Sequence, residues 1–253
     1  MLLRRLLLPA LLAGMSLSSH AATVKIDVGT PLPRMHLLKP GIHHYLRYLK
    51  TPDGANRPAD IWTREVRFEE RDGKRRLHIV QRWDAVAPTP STKTIDAWYD
   101  AATFRPDTEV RIVDKDGKRT VEGFVFAPSR ITGMQDLADN TQKALDVASD
   151  EPTFNFETDL ELLQTLALAE GLEARIHFYH PGGPTPPQRY SFKVKGSATI
   201  AGPTGPVDCW VVTTDYNRPG DTSTFWFAKG SQLMLRQEGA LPDGRVLVKT
   251  LID

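Results

Sequence analysis

Alternating polar and apolar residues, broken by Asp-Gly pairs, constrain this chain more than any other feature of its sequence. Trp62, Arg64, Val66 and Phe68 alternate with Thr63, Glu65, Arg67 and Glu69. A period of two sends successive side chains to opposite faces of a strand. Asp72-Gly73-Lys74 follows, and then a second run carrying Leu77, Ile79 and Trp83. Asp-Gly supplies the positive φ that a tight hairpin turn needs, so residues 61–84 are expected to form a hairpin. The design recurs. Val110 and Ile112 lead to Asp116-Gly117-Lys118 and on to Val121, Phe124 and Phe126. Leu233 and Leu235 lead to Asp243-Gly244-Arg245 and Val246 to Leu251. Repeated turns of this kind between alternating runs specify an antiparallel meander. Further strands are expected at Val24–Val28, Ile42–Lys50, Thr94–Phe104, Ala174–Tyr179, Gln188–Ile200, Val207–Tyr216 and Thr222–Ala228.

One segment departs from this pattern. Thr158-Asp159-Leu160-Glu161 fits a capping box, in which the first and fourth side chains satisfy free backbone N–H groups. Leu160, Leu163, Leu166 and Ala167 then fall at helical spacing, Leu162 and Ala169 widen the stripe, and Gly171 supplies a stop. A helix of about three turns is expected. Residues 136–148 are expected to cross irregularly or partly extended. The prolines of Pro88-Thr89-Pro90 and of residues 181–187 mark stiff loops. Pro31, Pro33 and Pro40 make residues 29–41 an extended crossing.

The chain's start carries a different signal. Arg4 and Arg5 precede an apolar run from Leu6 to Met15, and Ser19 and Ala21 place small residues at −3 and −1 of a cut after Ala21. That is the order of a cleavable secretory signal, too short to remain as a membrane span. The expectation is an exported, periplasmic protein, with residues 22–253 as one mature β-rich domain and no transmembrane segment in it. Removing the two leader arginines from 32 basic residues leaves 30 against 31 acidic. So even a balance gives no electrostatic reason to bind nucleic acid. Cys209 is the only cysteine. No internal disulfide can form, and its strand setting marks it as a buried thiol.

No motif announces chemistry. The sequence lacks a Gly-x-Ser-x-Gly elbow, a His-Glu-x-x-His pair, a phosphate loop and a Gly-x-Gly-x-x-Gly turn. Six histidines follow the leader: His36, His43, His44, His78, His177 and His180. Neighbours such as His43 and His44 face opposite ways on a strand, as do residues three apart such as His177 and His180. Zinc needs three or four convergent ligands, so no metal site is expected, and no cofactor. Asp96 and Asp100 share a strand face but stand ~13 Å apart at strand rise, beyond the ~5–9.5 Å of a glycosidase pair. Carboxylates meeting across strands remain open to a hydrolase.

The aromatic residues point elsewhere. Phe225, Trp226 and Phe227 occupy both faces of one strand. A strand apolar on both faces is covered on both. The expected fold is therefore mainly β with one prominent helix (α+β): an antiparallel meander sheet curved into a half-barrel around the helix. Space left beside the helix would hold an apolar ligand.

The C-terminal half has a recognisable order. A leucine-rich helical segment at 158–170 is followed by a strand, then Gly196-Ser197-Ala198-Thr199-Ile200, then Gly205-Pro206-Val207-Asp208-Cys209-Trp210. Thr224-Phe225-Trp226-Phe227, Leu233-Met234-Leu235-Arg236 and a final Asp-Gly hairpin complete it. Asp96-Ala97-Trp98-Tyr99-Asp100 with Arg105-Pro106 forms an earlier counterpart. This resembles exported bacterial proteins of the domain-of-unknown-function family 3108, over residues 60–253. Those proteins usually have Gly-Thr-Phe where this chain has Gly205-Pro206-Val207. The resemblance implies an envelope location and no assigned activity. Its layout is similar to that of the outer-membrane lipoprotein carriers, whose half-barrel holds acyl chains around a helix.

The leading expectation is thus a non-enzymatic envelope protein binding an apolar or lipid-like ligand. The wall would use Trp62, Val66, Phe68, Leu77, Ile79, Phe225 and Phe227, and the plug Leu160, Leu163 and Leu166. The alternative is a structural or protein-interaction module of the envelope, using a sheet edge or the proline loops. A hydrolase with a cross-strand acid pair stands third.

Overall fold

The computed structural model describes residues 23–85 and 90–253. The leader, the cut after Ala21, and Pro88 and Thr89 lie outside the described residues. In chain order the strands are β1 (Thr23–Ile26), β2 (Gly41–Lys50), β3 (Asn56–Arg71), β4 (Lys74–Ala85), β5 (Ser91–Asp100), β6 (Pro106–Lys115), β7 (Lys118–Ala127), β8 (Arg130–Gly133), β9 (Asp146–Ala148) and β10 (Phe154–Asn155). The single α-helix among the described residues, α1 (Asp159–Gln164), comes next. It is followed by β11 (Glu173–Tyr179), β12 (Gln188–Gly202), β13 (Gly205–Thr214), β14 (Ser223–Ala228), β15 (Met234–Ala240) and β16 (Val246–Leu251).

All sixteen strands among the described residues belong to one large curved sheet. Its path runs β1-β11-β12-β13-β14-β15-β16-β2-β3-β4-β5-β6-β7-β8-β9, with β10 beside β11. Pairing is antiparallel except where β1 and β10 each join β11. Two meanders, β2–β9 and β11–β16, meet where β16 pairs with β2, Leu251 opposite Tyr45 and Val246 opposite Lys50.

The turns follow the sequence in two cases out of three. Asp72 and Gly73 take φ of 53° and 69°, and Asp116 and Gly117 take 53° and 71°. Both central residues in the left-handed region make the two-residue hairpin turn whose twist matches the flanking strands. The third pair differs. Only Gly244 has a positive φ, and a five-residue loop forms, with Leu241 N donating to Arg245 O at 2.9 Å. The strand expected through Phe104 ends at Asp100. The Asp100 carboxylate accepts from the backbone N–H of Ala102 and Thr103 at 3.1 and 2.9 Å, turning the chain. Phe104 is thereby folded onto Tyr99, ring centroids 4.9 Å apart.

The expected three-turn helix is shorter, with six residues. Its capping box does not form, because both side chains are engaged elsewhere. The Thr158 hydroxyl meets Tyr99 OH at 2.8 Å, and the Glu161 carboxylate is bound by Arg64. Asn155 caps the preceding 3-10 turn (Phe156–Thr158), accepting from Glu157 N at 3.0 Å. At the far end Thr165 Oγ1 bonds back to Leu162 O at 2.6 Å, and the chain leaves the helix there. Every residue of α1 is buried. Leu160, Leu162, Leu163, Leu166 and Leu168 share one core with side chains of β2–β5 and β11–β15. A second, smaller core gathers Phe124, Ile131 and Tyr179 beneath residues 134–148. Residues 134–145 run irregularly and the chain then extends as β9, as expected. Gly133 permits the passage, since a Cβ there would stand 1.8 Å from Gln142 O.

Candidate functional site

Arg64 is the first residue that this core has to explain. It lies on the β3 face between Trp62 and Val66, and is 3% exposed. A guanidinium removed from water requires a partner and filled hydrogen-bond donors. Glu161 of α1 supplies the partner. Arg64 Nε donates to Glu161 Oε1 at 2.7 Å, and Nη2 binds the other carboxylate oxygen. Nη1 donates to Gln81 Oε1 at 3.1 Å, and the guanidinium lies 4.3 Å from the Trp62 ring centre. Gln81 Nε2 in turn donates to Glu157 O at 2.7 Å. Burial lowers the Arg64 pKa, and the Glu161 carboxylate more than offsets this.

A second group of charges continues along the sheet. Arg111 of β6 binds Glu109, Glu122 and Glu157 at 3.1, 3.1 and 3.0 Å, and Lys93 binds Glu157 at 3.3 Å. Asn155 Nδ2 donates to Glu109 at 2.5 Å. Burial, and then the neighbouring Glu157 carboxylate, push the Glu109 pKa up to about 7. Glu109 and Glu157 are thus carboxylates that meet across elements. Both are held by Arg111, and Glu109 is fully buried. Their geometry fastens the turn before α1 to the sheet.

The space beside these groups is closed by residues 29–40, which cross over the end of α1 as a strap. Leu32 and Leu38 are buried in the core. Arg34 N donates to Thr165 O at 2.9 Å, Arg34 Nη1 to Gln232 Oε1 at 2.7 Å, and Gln164 Nε2 to Leu37 O at 3.3 Å. Gln232 completes the latch by donating to the Gln164 and Leu166 carbonyls at 2.7 and 2.6 Å. Under the strap lies a cavity of about 230 Å³, lined by Leu38, Tyr45, Val66, Leu160 and Met234, with Arg64 and Glu161 as its polar wall. Adjoining it, a cleft of about 490 Å³ is lined by Met35, Phe68, Arg75 and Ala101. Leu38, Lys39 and Pro40 border both.

The apolar side chains singled out from sequence enter one hydrophobic cluster. Val66 and Leu160 line the cavity, and Phe68 lines the cleft. Trp62 stacks on Trp83 with ring centres 5.3 Å apart, and Phe225 on Phe227 at 6.0 Å. Leu77, Ile79, Leu163 and Leu166 are packed among them. None of these last eight lines the cavity or the cleft. The strap residues and the Arg64–Glu161 pair carry the site's polar geometry. Arg64 had a visible signal, a charge on an otherwise apolar strand face. The strap had only its prolines.

The histidines are dispersed. His78 bridges Glu69 and Asp96 at 3.0 Å each and stacks on Trp98. His177 approaches Pro152 O at 3.3 Å, whereas His180 stacks on Phe156. Among the described residues no three His, Cys, Asp or Glu side chains are grouped as a metal ion requires. Nor is any helix among them long and apolar enough to cross a membrane.

Comparison with known proteins agrees with this architecture. A crystal structure of a beta-barrel-like protein of the domain of unknown function DUF1849 from Brucella abortus superposes with a TM-score of 0.55. It is 11% identical and covers 85% of this chain and 97% of its own, a likeness of fold alone. No curated protein matches the sequence. The family model described as a protein of unknown function, DUF3108, matches residues 48–249, and the chain belongs to that family.

Proposed function

We propose that this protein is an exported, periplasmic half-barrel that holds the apolar part of a lipid-like ligand beside α1, under the 29–40 strap. In this reading residues 22–253 act as one domain, and the sheet is a wall around the helix. The observation that carries it is the cavity between Leu38, Val66 and Leu160, bordered by the same strap residues as the Phe68 cleft. Alone, the cavity is below the ~300–1,000 Å³ of typical small-molecule sites. It suits one apolar segment, with the rest of the ligand in the cleft. Lys39 and Arg75 outnumber the Asp100 carboxylate along that cleft and would favour an anionic or polar head. The leader supports the location. Nothing in the site positions a nucleophile against a base, so the proposed role is binding.

Native mass spectrometry of mature protein taken gently from a periplasmic extract tests this reading. An apolar mass released by solvent extraction is expected, and Val66→Phe, which fills the cavity, should abolish it. Phe68→Asp should weaken it from the cleft side. A clean apo mass from every wild-type preparation would overturn the proposal and direct attention to an envelope protein partner.

A further inference from the structure

A second chamber lies away from the strap and shares no lining residue with the cavity or the cleft. Its volume is about 370 Å³. Phe156, His180, Tyr190, Tyr216, Gln237 and Leu247 form its principal wall. Four of these carry rings set against one another. Phe156 stacks on His180 at 3.7 Å between centres and meets Tyr216 edge-on at 5.5 Å. Tyr190 meets His180 and Tyr216 edge-on at 5.6 and 6.2 Å. Tyr216 reaches this position from a left-handed backbone, φ 50°, followed by Asn217 at 59°. That conformation is costly for Tyr216, whereas asparagine tolerates it. Such strain persists where the surroundings enforce it, and it concentrates at ligand clamps.

The chamber has one unmet polar demand. Gln237, 6% exposed, stands between Phe225 and Lys249 in the sheet register. Its amide is hydrogen-bonded to Tyr216, and its Oε1 accepts no hydrogen bond. A buried carbonyl without a donor bears its full desolvation cost. The walls offer no net charge to meet an ion. Arg218 and Asp221 on the rim face each other at 3.8 Å. Burial pulls the His180 pKa down to about 4, which leaves that ring neutral.

We propose that this chamber is a binding site for a neutral planar ring carrying one N–H or O–H donor. The aromatic walls would take the ring, and Gln237 Oε1 would accept its hydrogen. This site is independent of the strap cavity and would be filled whether or not that cavity holds lipid.

Indole and N-methylindole are suitable probes, since they differ by the donor alone. Titration of the mature protein, followed by calorimetry and by the ring signals of Tyr190 and Tyr216 in NMR, should show indole binding about tenfold more tightly, the equivalent of one modest hydrogen bond. Gln237→Met keeps the side chain's length and should erase that preference. Tyr216→Ala should weaken both probes. Equal affinity of the wild type for the two, or saturation by neither at millimolar concentration, would overturn the proposal. It would then leave Gln237 to an ordered water. This decisive comparison uses only the wild type, so it survives a variant that does not fold.

Discussion

Arg64 illustrates how one residue joins distant parts of this chain. It occupies a strand position whose neighbours, Trp62 and Val66, belong to the core, and it is accommodated because Glu161 arrives from a helix 97 residues later. Arg64→Met should leave the Glu161 carboxylate buried without a partner, at a cost of about 3–5 kcal/mol in urea unfolding. Adding Glu161→Gln should recover part of that loss. The charge on an apolar face was legible in the sequence, because period two assigns Arg64 to the same side as Trp62. Its partner was not, because no local rule links residues so far apart. Glu109 makes a different prediction. Its folded-state pKa of about 7 lies above the ordinary 4.5, so the folded protein holds a proton that the unfolded chain releases. The resulting stability is complete below pH 4.5 and is lost as pH rises through 7. Urea midpoints measured across that interval should fall less steeply in Glu109→Gln than in the wild type.

The strands were legible because their signal is local: alternation fixes the faces, and Asp-Gly fixes the turns at 72–73 and 116–117. Two elements were less so. The helix was expected to run to about residue 170 from its leucine spacing. Leucines at that spacing enter the core equally well from a short helix and the turns after it, as Leu166 and Leu168 do. The 29–40 strap has no period. Its contacts with Thr165 and Gln232 depend on how the helix end and the β14–β15 loop meet. Of the candidate site, sequence therefore supplied Val66, Phe68 and Leu160, but not the lid above them. Leu38→Ala should cost about 2–5 kcal/mol, the usual range for a buried leucine. If the strap closes the cavity as an element, amide exchange at Leu37 and Leu38 should rise in this variant while β3 and β4 stay protected. Uniform loss of protection would assign Leu38 to the general core instead.

At the scale of the molecule, the same hydrophobic cluster draws on both meanders. Unfolding is therefore expected to be cooperative. Trp62 and Trp83 report on one meander, and Trp210 and Trp226 on the other. Single-tryptophan variants should give coincident urea transitions, and two separated midpoints would show that the meanders unfold independently. The pairing of β16 with β2 has a kinetic consequence. Each meander is assembled from hairpins that can close locally and early. The seam between them joins residues some two hundred positions apart, such as Tyr45 and Leu251, and must wait for that long closure. Sheets usually fray from an outer strand. Here the slowest junction lies inside the strand order, so a chain stalled before Val246–Leu251 would present two unsatisfied edges facing each other, and completion of the last strand would be the step that commits the whole sheet.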